Sequence, residues 1–311
     1  MSRSVVATAY GGPEVLSVID AVPGEPGPGQ VLIQMRAAGV NPVDWKSYTG
    51  AFGTDGAKLP IRIGQEAAGT VLRVGPDVTA IAVGDEVIAY RAPGAYADQV
   101  VVSASNTVIK PAALSWEKAG GLLLAGATAW HAVVATRIGS GDTVLVHGAA
   151  GGVGSMVVQI AHARGARVIG TASLANHEYL MDIGAIPVVY GQGLAARVRK
   201  HARSGVHAAI DTVGTAEALN TSVALITDRH RIATIANFAH GAVLRVQLLG
   251  NGPGADPGTE IRAAARQKLV DLVIAGKLDV RVAATYHLAD AAKAHRAGIA
   301  GHGRGKTVMI P

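Results

Sequence analysis

The residues best placed for chemistry are glycines. Gly148, Gly151 and Gly154 fall three apart in Val146-His147-Gly148-Ala149-Ala150-Gly151-Gly152-Val153-Gly154. An apolar run at 143–147 precedes them, and a stretch of helical period at 154–164 follows. Strand, glycine loop and helix in this order make a cradle for phosphate. The loop turns tightly, lets backbone approach a pyrophosphate and lets the helix pack close on the strand. The first turn of the helix then offers free N–H groups and the positive end of its dipole. Against the spacing G-x-G-x-x-G, the three marked places fall on Ala149, Gly151 and Gly154. Residues Gly148, Ala149, Ala150, Gly151, Gly152, Val153 and Gly154 are therefore expected to bind a dinucleotide. No G-x-x-x-x-G-K-[ST] loop occurs, which argues against hydrolysis of a nucleoside triphosphate.

The next apolar run ends in Thr171-Ala172-Ser173. An NAD site usually carries Asp or Glu here to bind the ribose 2′-hydroxyl. The end is neutral in this chain, and the first acid, Glu178, falls inside the following helix. A carboxylate would repel a 2′-phosphate, so its absence points to NADP. Ser173, Asn176 and Tyr190 are the expected contacts to that phosphate. Ser173 could instead cap the next helix.

These residues need a scaffold. The chain has 311 residues, enough for about two domains. Charged residues are 16% and apolar ones 49%, which excludes disorder. The 40 glycines predict many tight turns. There is no cysteine, which removes disulfides, thiolate metal sites and cysteine nucleophiles. The net charge is +6, but Lys and Arg are scattered with no run of five or more, so nucleic acid is not an expected partner. The first ten residues lack the apolar core of a signal peptide. Residues 119–136 and 143–163 carry no Lys, Arg, Asp or Glu, but glycine and histidine mark them as buried segments, not membrane spans. The cytoplasm is the expected location.

The first 115 residues or so read as β-rich, with apolar runs at 5–9, 31–38, 67–74, 86–89 and 97–102. Ser115 begins a helix. Strands then alternate with helices: strands at 143–147, 167–172, 188–190, 208–213 and 231–236, helices at 154–164, 176–183, 194–202 and 216–225. That is a βαβ series with a parallel sheet. A helix at 261–275, a strand at 280–285, a helix at 289–299 and a strand at 307–310 close the chain.

With the glycine loop in place, further motifs resemble one family. They are Tyr10-Gly11-Gly12-Pro13-Glu14-Val15-Leu16, Ala38-Gly39-Val40-Asn41-Pro42-Val43-Asp44, Gly94-Ala95-Tyr96-Ala97-Asp98, Gly126-Ala127-Thr128-Ala129-Trp130, Asp211-Thr212-Val213-Gly214 and Gly301-His302-Gly303-Arg304-Gly305-Lys306-Thr307-Val308. Together, in this order, they resemble the medium-chain dehydrogenase/reductase superfamily in its zinc-independent quinone oxidoreductase, ζ-crystallin-like branch. The resemblance implies an α/β fold with two domains. A GroES-like β-barrel catalytic domain would comprise 1–118 and 277–311, and a doubly wound Rossmann domain 119–276 would bind NADP. It implies that the nicotinamide lies in the cleft and that the protein is a homodimer. It places Thr128 beside the nicotinamide, unless that hydroxyl bonds its own helix, and Lys306 among the cofactor-binding residues.

Zinc enzymes of the superfamily place cysteine where Asn41 stands, histidine where Gln65 stands and a further cysteine near Leu124. None of these positions suits zinc here, so no metal is expected. Without a Lewis acid, alcohol oxidation is disfavoured. Quinones and α,β-unsaturated carbonyls need less activation, so they are the expected substrates. Two alternatives stand: an NADPH-binding protein with weak or no turnover acting through a partner, and a zinc-free alcohol or aldehyde reductase. The expected catalytic residues are Asn41, Asp44 and Tyr48. The Asn41 amide would donate to the developing oxyanion, Asp44 would hold the loop, and Tyr48 is the next donor. Phe52 stands where related enoyl reductases carry a tyrosine. With no histidine on 41–48, water would supply the proton, and no steep pH limb is expected near neutrality.

Overall fold

The computed structural model describes residues 2–301 and 303–311; Met1 of the leading segment and His302 of the C-terminal motif lie outside it. The chain forms two compact units, Met1–Leu124 with Val280–Pro311, and Ala125–Asp279.

The first unit opens with β1 (Ser2–Ala7), β2 (Leu16–Ala21), β3 (Gln30–Val40), α1 (Pro42–Lys46), β4 (Ile61–Arg62), β5 (Glu66–Val74), β6 (Glu86–Tyr90), β7 (Gln99–Ser103), β8 (Thr107–Ile109) and α2 (Trp116–Gly120). α2 starts where its sequence said it would, with the Ser115 hydroxyl accepting from the Lys118 N–H. β4 and β8, of two and three residues, are short enough to escape a pattern search, and β2 escapes it because its middle is exposed. α3 (Leu123–Ala135) leads into the second unit.

The second unit holds β9 (Thr143–His147), α4 (Gly152–Ala163), β10 (Arg167–Thr171), α5 (His177–Asp182), β11 (Ala185–Val188), α6 (Leu194–His201), β12 (Ala208–Asp211), α7 (Ala216–Leu225), β13 (Ile232–Thr234), α8 (Phe238–Leu244), β14 (Gln247–Leu248) and α9 (Thr259–Ile274). The sheet runs β11-β10-β9-β12-β13-β14, and every pair is parallel. This is the doubly wound Rossmann order, which reverses at β9. All five residues of β9 are buried, as a strand covered on both faces requires. The strand expected at 188–190 lies at Ala185–Val188 instead. Pro187 reads as a breaker, yet β11 is an edge strand, where the missing N–H costs no ladder bond. α8 and β14 were not legible in the sequence.

β15 (Val282–His287), α10 (Ala291–Ala300) and β16 (Lys306–Ile310) return to the first unit. β16 inserts between β15 and β3, opposite the strand that leads into α1. Its Met309 joins a core built from Ile33, Met35, Val71, Val87 and Val100. No helix among the described residues is long and apolar enough to cross a membrane.

Candidate active site

The glycine loop joins β9 to α4, at the point where the strand order reverses. Gly148 has φ +71°, and a Cβ there would collide with Thr212 and Val213. Its N–H donates to Thr171 Oγ1 (3.3 Å), and the N–H of Ala149 donates to the Thr171 carbonyl (3.1 Å). A Cβ on Gly154 would overlap the Gly148 carbonyl, so this glycine lets helix and loop touch. Gly151 differs. Its backbone is extended (φ −75°, ψ 175°), and a Cβ would meet one atom within 4 Å, the Gly148 oxygen at 3.3 Å. The fold therefore has little need of glycine at 151, whereas an approaching phosphate does. No side chain caps α4. The N–H groups of Gly152, Val153 and Gly154 have no acceptor within the helix. These features fit a pyrophosphate.

His147 lies buried directly before the loop. Ser222 Oγ donates to the Ala218 carbonyl, so it accepts from His147 Nε2 (3.0 Å), which must carry the ring proton. Burial lowers the His147 pKa to about 4.

Beyond β10, Ser173 makes no capping bond with its side chain. Its hydroxyl instead accepts from Asn176 Nδ2 at 3.3 Å. Thr171 and Val188 are paired on the adjacent strands, so Ser173 and Tyr190 each stand two residues past the same level. Tyr190 is 53% exposed. The Arg197 guanidinium braces the Tyr190 loop, donating to the carbonyls of Val189, Gly191 and Gln192. Glu178 is exposed on α5. The strand ends thus present hydroxyl, amide and a nearby cation, a set suited to a 2′-phosphate.

Thr128 sits on α3, where its Oγ1 accepts from Arg262 Nη1 (3.2 Å). Arg262 also reaches His131 Nδ1 (3.3 Å), and His131 Nε2 meets Asp256 (3.1 Å).

In the first unit, a buried cluster surrounds Asn41. Lys306 Nζ donates to the Val40 carbonyl (3.1 Å), to Asn41 Oδ1 and to Glu66 Oε1 (3.2 Å). Asn41 Nδ2 donates to the Gly39 carbonyl (3.1 Å) and to Glu66 Oε1 (2.9 Å). Glu66 Oε2 accepts from the Leu124 N–H at the start of α3 (2.8 Å). A Cβ on Gly39 would overlap the Glu66 carboxylate, which explains the glycine of Ala38-Gly39-Val40-Asn41. Asp44 Oδ2 accepts from the Asn41 N–H (2.8 Å) and the Tyr96 hydroxyl (3.1 Å). Burial pushes the Asp44 pKa up to about 7, against the lowering effect of these donors and of Lys306. Among the described residues, no three His, Cys, Asp or Glu side chains gather to hold a metal ion.

Comparison with known proteins places these features. Residues 27–136 match the alcohol dehydrogenase GroES-like domain, and 152–252 match the zinc-binding dehydrogenase domain. The chain is 33% identical to a quinone oxidoreductase of Pseudomonas aeruginosa and 31% identical to one of Escherichia coli, with both partners covered fully. The chain belongs to the quinone oxidoreductase branch of the medium-chain dehydrogenase/reductase superfamily. Among solved members, a mycobacterial protein complexed with NADPH superposes with TM-score 0.87 at 32% identity, covering 99% of this chain and 100% of its own. The Escherichia coli quinone oxidoreductase complexed with NADPH superposes with TM-score 0.86 at 28% identity over both full lengths.

In this branch member, hydrogen bonds within the protein engage three of the expected site residues. Both Nδ2 protons of Asn41 are engaged by Gly39 and Glu66, so its amide has no donor to offer a substrate oxygen. Tyr48 is buried with its hydroxyl on His295 Nδ1 (2.7 Å), so it is no alternative donor. Lys306, expected among the cofactor-binding residues, gives three hydrogen bonds within the first unit, to Val40, Asn41 and Glu66. Asp44, expected to hold this loop, accepts the Asn41 N–H across the turn. Sequence reasoning missed Glu66, Tyr96, His295, Arg197 and Arg262. Tyr96 stood inside a recognised motif and Glu66 directly after Gln65, whereas nothing local marked the others.

Proposed function

We propose that the chain is an NADPH-dependent oxidoreductase that reduces quinones, and next to them α,β-unsaturated carbonyls, by hydride transfer without a metal. The observation that carries this reading is the cradle at Gly151, where a Cβ would meet only the Gly148 oxygen, followed by the first turn of α4, which no side chain caps. Residues 148–154 would hold the pyrophosphate. Ser173, Asn176 and Tyr190, with Arg197 behind them, would hold the 2′-phosphate, and Thr128 would face the nicotinamide. Bound NADPH supplies a hydride. Solvent supplies the proton that completes the hydroquinone, because the acids and phenols on 41–48 are turned into the protein. Asn41, Asp44 and Tyr48 then serve by fixing the turn, not by touching substrate.

The engaged state of Asn41 favours quinones. A quinone is already electrophilic, whereas an enone needs more help from an oxyanion donor. Metal independence follows from the donor set: an ammonium bonded to Asn41 repels a divalent cation, and Gln65 is a poor zinc ligand. β14 is an edge strand of the sheet, which suits a homodimer formed by a second copy of the chain. We place the protein in the cytoplasm.

Steady-state NADPH oxidation with a panel of quinones, enones and aldehydes tests the reading. Quinones should give the highest kcat/KM, with chelator present or absent. Aldehyde turnover without quinone turnover, or tightly held zinc at one per chain by elemental analysis, would overturn it.

A further inference from the structure

We infer that His295 is a positioning residue for quinone reduction: through Tyr96 and Asp44 it fixes the turn that begins at Asn41. The inference rests on the functional reading above.

The argument is one of hydrogen-bond direction. The Tyr96 hydroxyl has a single proton and gives it to Asp44 Oδ2. At its contact with His295 Nε2 (3.3 Å) the Tyr96 oxygen must therefore accept, so Nε2 carries a proton. No carboxylate touches His295, and burial lowers its pKa to about 4, so the ring is neutral. Nδ1 is then bare and accepts from the Tyr48 hydroxyl. The chain Tyr48→His295→Tyr96→Asp44 runs one way and ends on a carboxylate. All four side chains are buried. The imidazole is also wedged by rings, parallel to Tyr48 and edge-on to Trp45 and Tyr96, with centroids 5.7 Å away in each case.

The carboxylate end controls the turn. Asp44 Oδ2 receives both the Asn41 N–H and the Tyr96 hydroxyl, while Oδ1 is buried without a partner. Protonation therefore falls on Oδ1, and it weakens Oδ2 as an acceptor for both donors. The charged groups acting on Asp44 are Lys306 of β16, which favours its ionised form, and Glu66 of β5, which opposes it. The Tyr96 hydroxyl and the Asn41 N–H also favour ionisation. Ionised Asp44 holds the turn, so activity should fall as pH drops through the Asp44 pKa. A histidine-free 41–48 segment predicts no such limb; the buried carboxyl supplies one.

The test compares wild type with Tyr96→Phe, His295→Leu and His295→Gln. Two readouts are taken: the pH profile of kcat with NADPH and a quinone, and an infrared titration of the Asp44 carboxyl in the cofactor-free protein, assigned with Asp44→Asn. Wild type should show an acid limb and a carboxyl titration near pH 7. Removing the Tyr96 donor should move both upward by about one to two pH units, the equivalent of one hydrogen bond to a charged group. His295→Leu should move them in the same direction by less, since it only depolarises Tyr96. His295→Gln, which keeps one donor and one acceptor, should return them toward wild type. Unmoved titration in Tyr96→Phe, or a loss of kcat equal at every pH in all three variants, would overturn the inference. If wild type reduces no quinone, the functional reading fails by itself. The infrared titration then judges the relay alone, an upward shift sustaining it and no shift refuting it.

Discussion

Replacing Gly151 by valine should remove NADPH binding while leaving the fold standing. The backbone at 151 is extended, a conformation valine prefers, and the new Cβ meets only the Gly148 oxygen at 3.3 Å. Folding should lose about 1 kcal/mol, most of it from one tight contact and a poorer helix start. Gly154→Ala makes the contrast. Its Cβ overlaps the Gly148 carbonyl, and relieving that overlap should cost roughly 1–3 kcal/mol or more. For binding the order reverses. A side chain at 151 stands between the phosphates and the first-turn N–H groups of α4. Losing two charge-assisted hydrogen bonds at about 1.5–3 kcal/mol each lowers affinity by roughly two to four powers of ten. Fluorescence titration with NADPH measures the affinity, and thermal unfolding with and without NADPH measures the fold. At a hundredfold excess over Kd, wild type should gain about 2.7 kcal/mol from the cofactor. The valine variant should melt within a few degrees of cofactor-free wild type and gain nothing. A valine variant that binds NADPH normally would show that the loop is not the phosphate site. One that unfolds would show that Gly151 is there for packing.

Ser173→Asp should reverse cofactor preference from NADPH to NADH, because a carboxylate repels the 2′-phosphate and accepts from a ribose hydroxyl; tighter NADH binding by wild type in paired titrations would refute the assignment. Acid should reveal Asp44 in stability as well. Its folded pKa is raised to about 7, so the native state binds a proton that the unfolded chain declines until about pH 4, and this group adds stability as pH falls. His295, depressed to about 4, acts the other way. Between pH 7.5 and 5, Asp44→Asn should therefore lose about 2–3 kcal/mol relative to wild type, read from denaturant unfolding. Parallel pH dependence in the two proteins would contradict the buried-carboxyl assignment.

The second unit was the more legible in sequence. Its central strands are continuous apolar runs, α7 and α8 have side-chain caps at Thr215 and Asn237, and the cofactor loop is local, so one short segment carries its whole signal. The first unit also contains strands of two and three residues, β4 and β8, that no pattern separates from turns. The polar cluster was hidden for a different reason. Asn41 meets Glu66 across 25 positions, Lys306 across 265, and Tyr48 meets His295 across 247. Sequence could nominate Asn41 as a donor but could not show that its protons were already taken. Burial of Asp44, and with it a titration near neutrality, was likewise invisible until the surrounding rings were in place.

The placement of β16 has a consequence for how the molecule is made. Glu66 is buried, and the ammonium that neutralises it leaves the ribosome only after all of the second unit. While Lys306 is still untranslated, closing the first unit would bury the Glu66 carboxyl with its hydrogen bonds from Asn41 and Leu124 but without its cationic partner, which is unfavourable. β3 also lacks its β16 neighbour until then, since Val40 and Lys306 are 266 positions apart. The nascent first unit is expected to wait open, with part of its core exposed, while the Rossmann unit is contiguous from Ala125 to Asp279 and needs no later strand. Order of synthesis is thus expected to set order of folding. The strand carrying Lys306 acts as the latch, and a ribosome stalled before it would leave a chain for chaperones to hold.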